Sequence, residues 1–333
     1  MKTLFLAIGL ILSLRANSHC EDLLTAREVI ALGITQGVTE FLPVSSTAHM
    51  ILVDKFLVNG EMKKLHRPIA SDALNFDLET VVAAKKSDSE IADEAAKVQA
   101  KNSYFSLIQF GSIAAILCLY RKRFYSMALG ILGKDCCGRK LVINLLISFL
   151  PAALIGFLID GWLQKIAYSI TVIASSLAIG ALIIFFAERR YNGKLFTAET
   201  EKICGTIENL TSGQSFAIGL WQCLAFIPGM SRSMATIVGG YGCGLRRTAA
   251  AEYSFLLGVL TLAAAAGYKF IKDFDAIFTC FGINLFCLGI LVAFLTSLIA
   301  IKIFITFIGR HGILLFAFYR IILAIIIFCQ ILS

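Results

Sequence analysis

The sequence predicts an all-α polytopic membrane protein. Three observations carry this: 58% of the 333 residues are hydrophobic and only 16% are charged, the mean hydropathy is +0.81, and the apolar residues are gathered into runs of near-spanning length separated by short basic loops. A water-soluble surface does not tolerate so few charges. Four prolines are too few for a Pro-rich linker or stalk, so a single membrane domain over 25–333 is expected. A net charge of +8 would point to nucleic acid in a soluble protein. Here Lys and Arg sit in the loops, where they act as topology signals, and no nucleic-acid partner is expected. None of the ten cysteines forms a CxxC, and most lie inside apolar runs, where they read as small apolar side chains.

Residues 1–24 carry Lys2, an apolar run from Leu4 to Leu14, and then Arg15. The run is shorter than the roughly 20 residues of a full span, so a signal-like segment and a short extra helix both fit. Apolar segments follow at about 104–120, 141–159, 170–187, 251–268, 277–301 and 312–332, which read as six plain spans. Two more, 27–58 and 214–244, are interrupted by polar residues and proline. The loop 121–140 holds Arg121, Lys122, Arg123, Lys134, Arg139 and Lys140 against one acid, Asp135, which makes it cytoplasmic. Counting outward from it, 160–169 is exterior and 188–213 cytoplasmic, and the mixed-charge stretch 59–103 is an extra exterior loop.

The two interrupted segments resemble each other. Gly33-Ile-Thr-Gln36 precedes Pro43, and Gly219-Leu-Trp-Gln222 precedes Pro228; a Tyr-bearing apolar helix follows each, at Tyr104 and Tyr253. Proline- or glycine-interrupted hydrophobic segments at corresponding positions of two halves point to a midplane site between inverted repeats. Irregular backbone at that depth is tolerated only where it lines a cavity or is packed in protein.

The first interrupted segment holds Gln36 and Glu40, four residues apart and so on one helix face. A carboxylate in an apolar segment is costly and marks function by default. Ser45, Ser46 and Thr47 follow the helix-breaking Pro43, where a new helix start would cluster hydroxyls and free N–H groups that favour anions; His49 follows. The second segment holds Ser231, Arg232 and Ser233 after Pro228 and Gly229. Gly229 permits a tight turn, and Arg232 offers a planar charged fork suited to phosphate oxygens. Together these residues suit phosphoryl transfer, which needs charge neutralisation and an aligned nucleophile. Singly, each has a plain structural role available: Ser45 and Ser46 a helix cap, His49 an interior hydrogen-bonded histidine, Glu40 with Arg232 a buried ion pair. Glu252 reads as a structural partner of Arg246 or Arg247.

Glu40-Phe-Leu-Pro-Val-Ser-Ser-Thr-Ala-His49, with Gln36 upstream, and Pro228-Gly-Met-Ser-Arg-Ser233 resemble the two signature motifs of the bacterial undecaprenyl-diphosphate phosphatase family, known for bacitracin resistance. Leu107-Ile-Gln-Phe-Gly-Ser-Ile113, Ala250-Ala-Glu-Tyr-Ser-Phe-Leu-Leu257 and Phe316-Ala-Phe-Tyr-Arg320 extend the resemblance from about residue 25 to the end. It implies hydrolysis of undecaprenyl diphosphate to undecaprenyl phosphate and inorganic phosphate, recycling the lipid carrier for cell-wall synthesis. It also implies a divalent cation, Mg2+ or Ca2+, and a bacterial inner-membrane location with the active site toward the periplasm. The implied fold is six transmembrane helices plus two re-entrant helical hairpins in an inverted repeat. Carried over by position, Ser46 is the nucleophile, Glu40 the motif acid, His49 the motif histidine and Arg232 the phosphate-binding arginine. Ser45, Thr47, Ser231 and Ser233 would bind substrate with Arg232, and Glu40 with Gln36, at a place that takes Glu or Gln, would hold the metal. Ala48 and Met234 stand where glycine is usual, and Leu260 where proline is frequent. The runner-up is a transporter or flippase of the phosphorylated lipid carrier, since secondary transporters are also built from inverted repeats with broken helices. Whether the chain works as a homodimer the sequence leaves open.

Overall fold

The computed structural model describes residues 24–54, 101–166, 170–192, 205–272 and 274–332. The signal-like segment and nearly all of the extra exterior loop therefore lie outside the described residues. All regular structure among the described residues is helical. In chain order, α1 spans Ala26–Thr39, α2 Ser46–Val53, α3 Gln109–Leu119, α4 Arg121–Ile131, α5 Cys136–Ile166, α6 Ile170–Asn192, α7 Ser212–Gln222, α8 Arg232–Gly242, α9 Arg247–Lys272, α10 Phe274–His311 and α11 Leu314–Leu332.

Six stretches are long and apolar enough to cross a membrane: Lys101–Leu119, Cys136–Ile159, Ile170–Tyr191, Arg247–Lys272, Ile283–His311 and Leu314–Ile331. These are the six predicted spans. The fifth runs ten residues past its predicted end because Lys302 points outward and does not stop the helix. The basic loop 121–140 also differs from expectation, since its whole first half is α4, which packs along α5. Large apolar side chains such as Phe157, Phe186, Ile303 and Phe318 face outward from the spans, as a lipid-facing belt requires.

The two interrupted segments fold alike. α1 opens with a capping box between Thr25 and Glu28, and α7 opens with the same device between Thr211 and Gln214. Each then ends in a loop and restarts as a second short helix, α2 or α8. Gly33 and Gly219 are packing residues: a methyl on Gly33 would meet the Val292 side chain at 2.9 Å, and one on Gly219 would overlap the Ser148 backbone. α1 thus lies against α10, and α7 against α5.

Polar groups in the interior bind helix to helix, as expected where water is excluded. Tyr253 donates to the Asn144 carbonyl at 2.9 Å, Ser297 to Ser112 at 2.9 Å, and the Thr236 and Ser254 hydroxyls meet at 2.6 Å. Glu252 pairs with neither expected arginine. It accepts from Arg123 of α4 at 2.8 Å, while Arg247 pairs with Glu188 at 2.7 Å and Arg246 donates to the Gly205 carbonyl at 2.9 Å. Positions 247 and 252 lie about 140° apart around a helix, which turns them toward different neighbours.

Candidate active site

The site forms where the loop after α1 meets the loop before α8. Pro43 follows the end of α1, and the chain then turns at Ser45, whose φ of +73° lies in the left-handed region. Ser231 has the same φ of +73° and follows Thr211 at the separation by which Ser45 follows Thr25. Such a conformation costs a non-glycine residue about 1–3 kcal/mol and persists only where its surroundings enforce it. Each serine is an N-cap: Ser45 Oγ accepts from Ala48 N and Ser231 Oγ from Met234 N, both at 3.3 Å. Gly229, at φ +90°, supplies the turn assigned to it, and a side chain there would collide with the Ile173 carbonyl. Ala48 and Met234 have ordinary helical backbone, so neither needs the freedom of glycine.

α2 and α8 therefore begin beside one another, their first-turn N–H groups free of intrahelical partners, and an anion is favoured there. Both starts border a cavity of about 250 Å³ lined by Glu40, Ser45, Ser46, Thr47, Ser231 and Arg232, with walls that include Gln109, Ala152, Gln222 and Thr261. This is small beside the pockets that enclose drug-sized ligands, and suits a headgroup more than a whole lipid.

Glu40 is the hub. Its Oε2 accepts from Gln36 Nε2 at 2.7 Å and from Ser46 Oγ at 2.8 Å, and its Oε1 accepts from Arg232 Nη2 at 3.1 Å. The Glu40 and Arg232 side chains are 4% and 11% exposed, so the pair is nearly dry. Arg232 Nη1 donates to the Ser254 carbonyl at 3.1 Å, the guanidinium lies 5.7 Å from the Phe41 ring centroid, and its Nε has no acceptor among the described residues. Gly258 of α9 leaves room for this guanidinium, because a side chain there would overlap it.

Not every expected site residue borders the cavity. Gln36 reaches it only through Glu40. Ser233 turns its hydroxyl away, donating to the Phe41 carbonyl at 2.9 Å, and so clasps the two loops together. Both ring nitrogens of His49 are bonded to groups other than Ser46: Nδ1 lies 2.7 Å from the Ser45 carbonyl, Nε2 lies 2.6 Å from the Tyr319 hydroxyl, and the ring stacks on Tyr319. A carbonyl can only accept, so Nδ1 carries the proton and a neutral ring leaves Nε2 as the acceptor for Tyr319. The hydroxyl of Ser46 thus has Glu40 as its basic neighbour.

Arg320 of α11 was legible beforehand only as part of a resembling stretch. It is fully buried and donates to five carbonyls: Pro43 at 3.2 Å, Met230 at 3.1 Å, Gly229 at 3.0 Å, Ser176 at 3.1 Å and Leu177 at 3.2 Å. One side chain thereby ties both motif loops to α6. The available signal was an arginine alone among the charged residues of the run 312–332.

Among the described residues no group of three or more His, Cys, Asp or Glu is placed to hold a metal, and Glu40 is the one carboxylate lining the cavity. A hard divalent cation accepts carboxylate, amide and hydroxyl oxygens and completes its shell from phosphate and water. Glu40, Gln36 and Ser46 fit that donor set only if the ligand contributes oxygens of its own.

The model of the family described as bacitracin resistance protein BacA matches residues 29–326. The chain is 34% identical to Undecaprenyl-diphosphatase 2 of Shewanella oneidensis over 92% of this chain and 98% of the relative. It is 36% identical to Undecaprenyl-diphosphatase 3 of Acinetobacter baylyi, over 91% and 96% of the two chains. It is 37% identical to Undecaprenyl-diphosphatase of Sphingopyxis alaskensis, over 88% and 93%. With the cavity, five of the six spans, most of the sixth and nearly all of both interrupted segments inside the matched range, the chain belongs to the bacitracin resistance protein BacA family.

Proposed function

We propose that the chain is a membrane hydrolase that converts undecaprenyl diphosphate to undecaprenyl phosphate and inorganic phosphate. The observation that carries this reading is the Ser46 hydroxyl on the Glu40 carboxylate, which also holds Arg232, at a cavity bordered by two helix N-termini. The names of the relatives support the substrate. A carrier for the phosphorylated lipid would use Arg232 and the helix starts but has no use for a hydroxyl set against a buried base, and the relatives' names do not favour it.

In the reaction, Arg232 and the N–H groups at the starts of α2 and α8 hold the phosphate oxygens. The guanidinium moves from Glu40 to the substrate, which frees Glu40 to take the Ser46 proton. Ser46 Oγ attacks the terminal phosphorus, the bond to the bridging oxygen breaks, and undecaprenyl phosphate departs with the proton that Glu40 took. Water then hydrolyses the phosphoserine, Glu40 taking the water proton and passing it to Ser46 Oγ, which releases inorganic phosphate and restores the hydroxyl. Glu40 would hold a divalent cation, Mg2+ or Ca2+, with Gln36 acting through its bond to Glu40, and the cation would neutralise phosphate charge when bound.

The cavity belongs to the exterior half of the protein. With 121–140 cytoplasmic, α5 and α9 start on the inside, and their wall residues Ala152, Thr261 and Ala265 fall in their outer halves, as does Gln109 in the span Lys101–Leu119. In a bacterial inner membrane this is the periplasmic side. α1–α2 then enters and leaves from the outside and α7–α8 from the inside, making two re-entrant hairpins; contacts of Gln214 with Cys243 at the mouth of the second support this. Phosphate release from undecaprenyl diphosphate by the purified chain in detergent, with Mg2+ or Ca2+ and then with chelator, tests the proposal. Release that stops on chelation is expected, and no release under any cation sinks it.

A further inference from the structure

Gln222, the last residue of α7, holds in the second half the place that Gln36 holds in the first, following Thr211 at the separation by which Gln36 follows Thr25. The two glutamines are nonetheless in different states. Gln36 donates to Glu40, four residues on. Four residues after Gln222 stands Phe226, which offers no side-chain acceptor. Gln222 is only 3% exposed, it lines the cavity, and neither its Nε2 nor its Oε1 has a hydrogen-bond partner among the described residues. A buried carboxamide unsatisfied at both ends is a cost that an apolar side chain of the same shape avoids. Such a group bordering the cavity that Glu40 and Arg232 also line is explained when the cavity's ligand completes its bonds.

We infer that Gln222 is a further binding residue for the diphosphate, its Nε2 donating to a non-bridging phosphate oxygen beside the Arg232 fork. The inference rests on the hydrolase reading above. A neutral donor extends the phosphate contacts without adding a second fixed positive charge, which would hold the released phosphate more tightly.

The test compares wild type with Gln222→Met in the purified full chain. It measures kcat and KM for undecaprenyl diphosphate, Ki for inorganic diphosphate, and Tm with and without inorganic diphosphate. Losing one donor to a charged acceptor should raise KM and Ki about tenfold or more, with a smaller change in kcat. The ligand-free Tm should stay level or rise, because two unsatisfied buried groups are gone, while the Tm rise on adding diphosphate should shrink. An unchanged Ki, with or without a fall in ligand-free Tm, would mean that Gln222 serves packing or a buried water, and the inference would be wrong. Gln222→Glu keeps the shape, cannot donate when ionised and repels phosphate; it should bind diphosphate more weakly than the Met variant, and wild-type binding by it overturns the assignment even if the Met variant does not fold. If the wild type releases no phosphate, the hydrolase reading fails, yet the diphosphate-dependent Tm still decides whether Gln222 contacts the anion.

Discussion

Replacing Arg320 with methionine would remove a guanidinium that donates to carbonyls of both motif loops and of α6. The chain length is nearly kept, so the main loss is five hydrogen bonds. At about 0.6 kcal/mol each, the mean for side-chain bonds inside membrane proteins, they amount to about 3 kcal/mol. No longer burying a charge offsets part of this loss, because the partners left behind are neutral carbonyls. A fall in Tm of several degrees in detergent is expected. Function should suffer more than stability. Pro43, Gly229 and Met230 lose their shared anchor, and a shift of about 1 Å between reacting groups costs roughly 100-fold in rate. Phosphate release should therefore fall by about two orders of magnitude in a variant that still elutes as a single species. Arg320→Lys, with three donors for five carbonyls, should fall between wild type and the Met variant in both readouts. Wild-type Tm together with wild-type phosphate release in Arg320→Met would refute the idea that this residue sets the positions of the two loops.

Ser46→Ala should abolish phosphate release while inorganic diphosphate still raises Tm, since Arg232 and the helix starts remain; full hydrolysis by this variant would instead assign the attack to water. Arg232→Lys keeps the charge but loses the fork that spans Glu40 and the Ser254 carbonyl, so a loss of at least tenfold in kcat/KM with a single folded species is expected, and near-wild-type activity would remove Arg232 from the site. A cysteine introduced at Lys134, in a background without accessible native cysteines, should react with an impermeant thiol reagent only after cells are opened; labelling in intact cells would reverse the topology and with it the periplasmic placement of the cavity.

The sequence was most informative where a signal repeats along the chain. Apolar runs at helical length located all six spans, and the recurrence of Gly-x-x-Gln before proline foretold two segments that fold as helix, loop and helix. Helix ends were less legible. The fifth apolar run reads as ending at 301, before Lys302, yet a lysine on an outward face interrupts nothing, and α4 was hidden because a basic stretch gives no apolar stripe to read. Ser45 was legible as a cap from its place after proline, but the left-handed φ that it shares with Ser231 was not, since serine does not announce it.

The composition and periodicity by themselves determined that this chain lives in a bilayer and where its six spans run, because partition into lipid and helical repeat are local properties of the chain. Only the tertiary structure decided the partnerships: Glu40 with Ser46 and Arg232, His49 with Tyr319 and not with Ser46, Glu252 with Arg123, and Arg320 with five carbonyls of distant segments. In a dry interior each polar group must find a complement, and which one it finds depends on which helix face arrives within about 3 Å. For all of these but Glu40 with Ser46, six residues apart, that is fixed by packing between segments far apart in the chain.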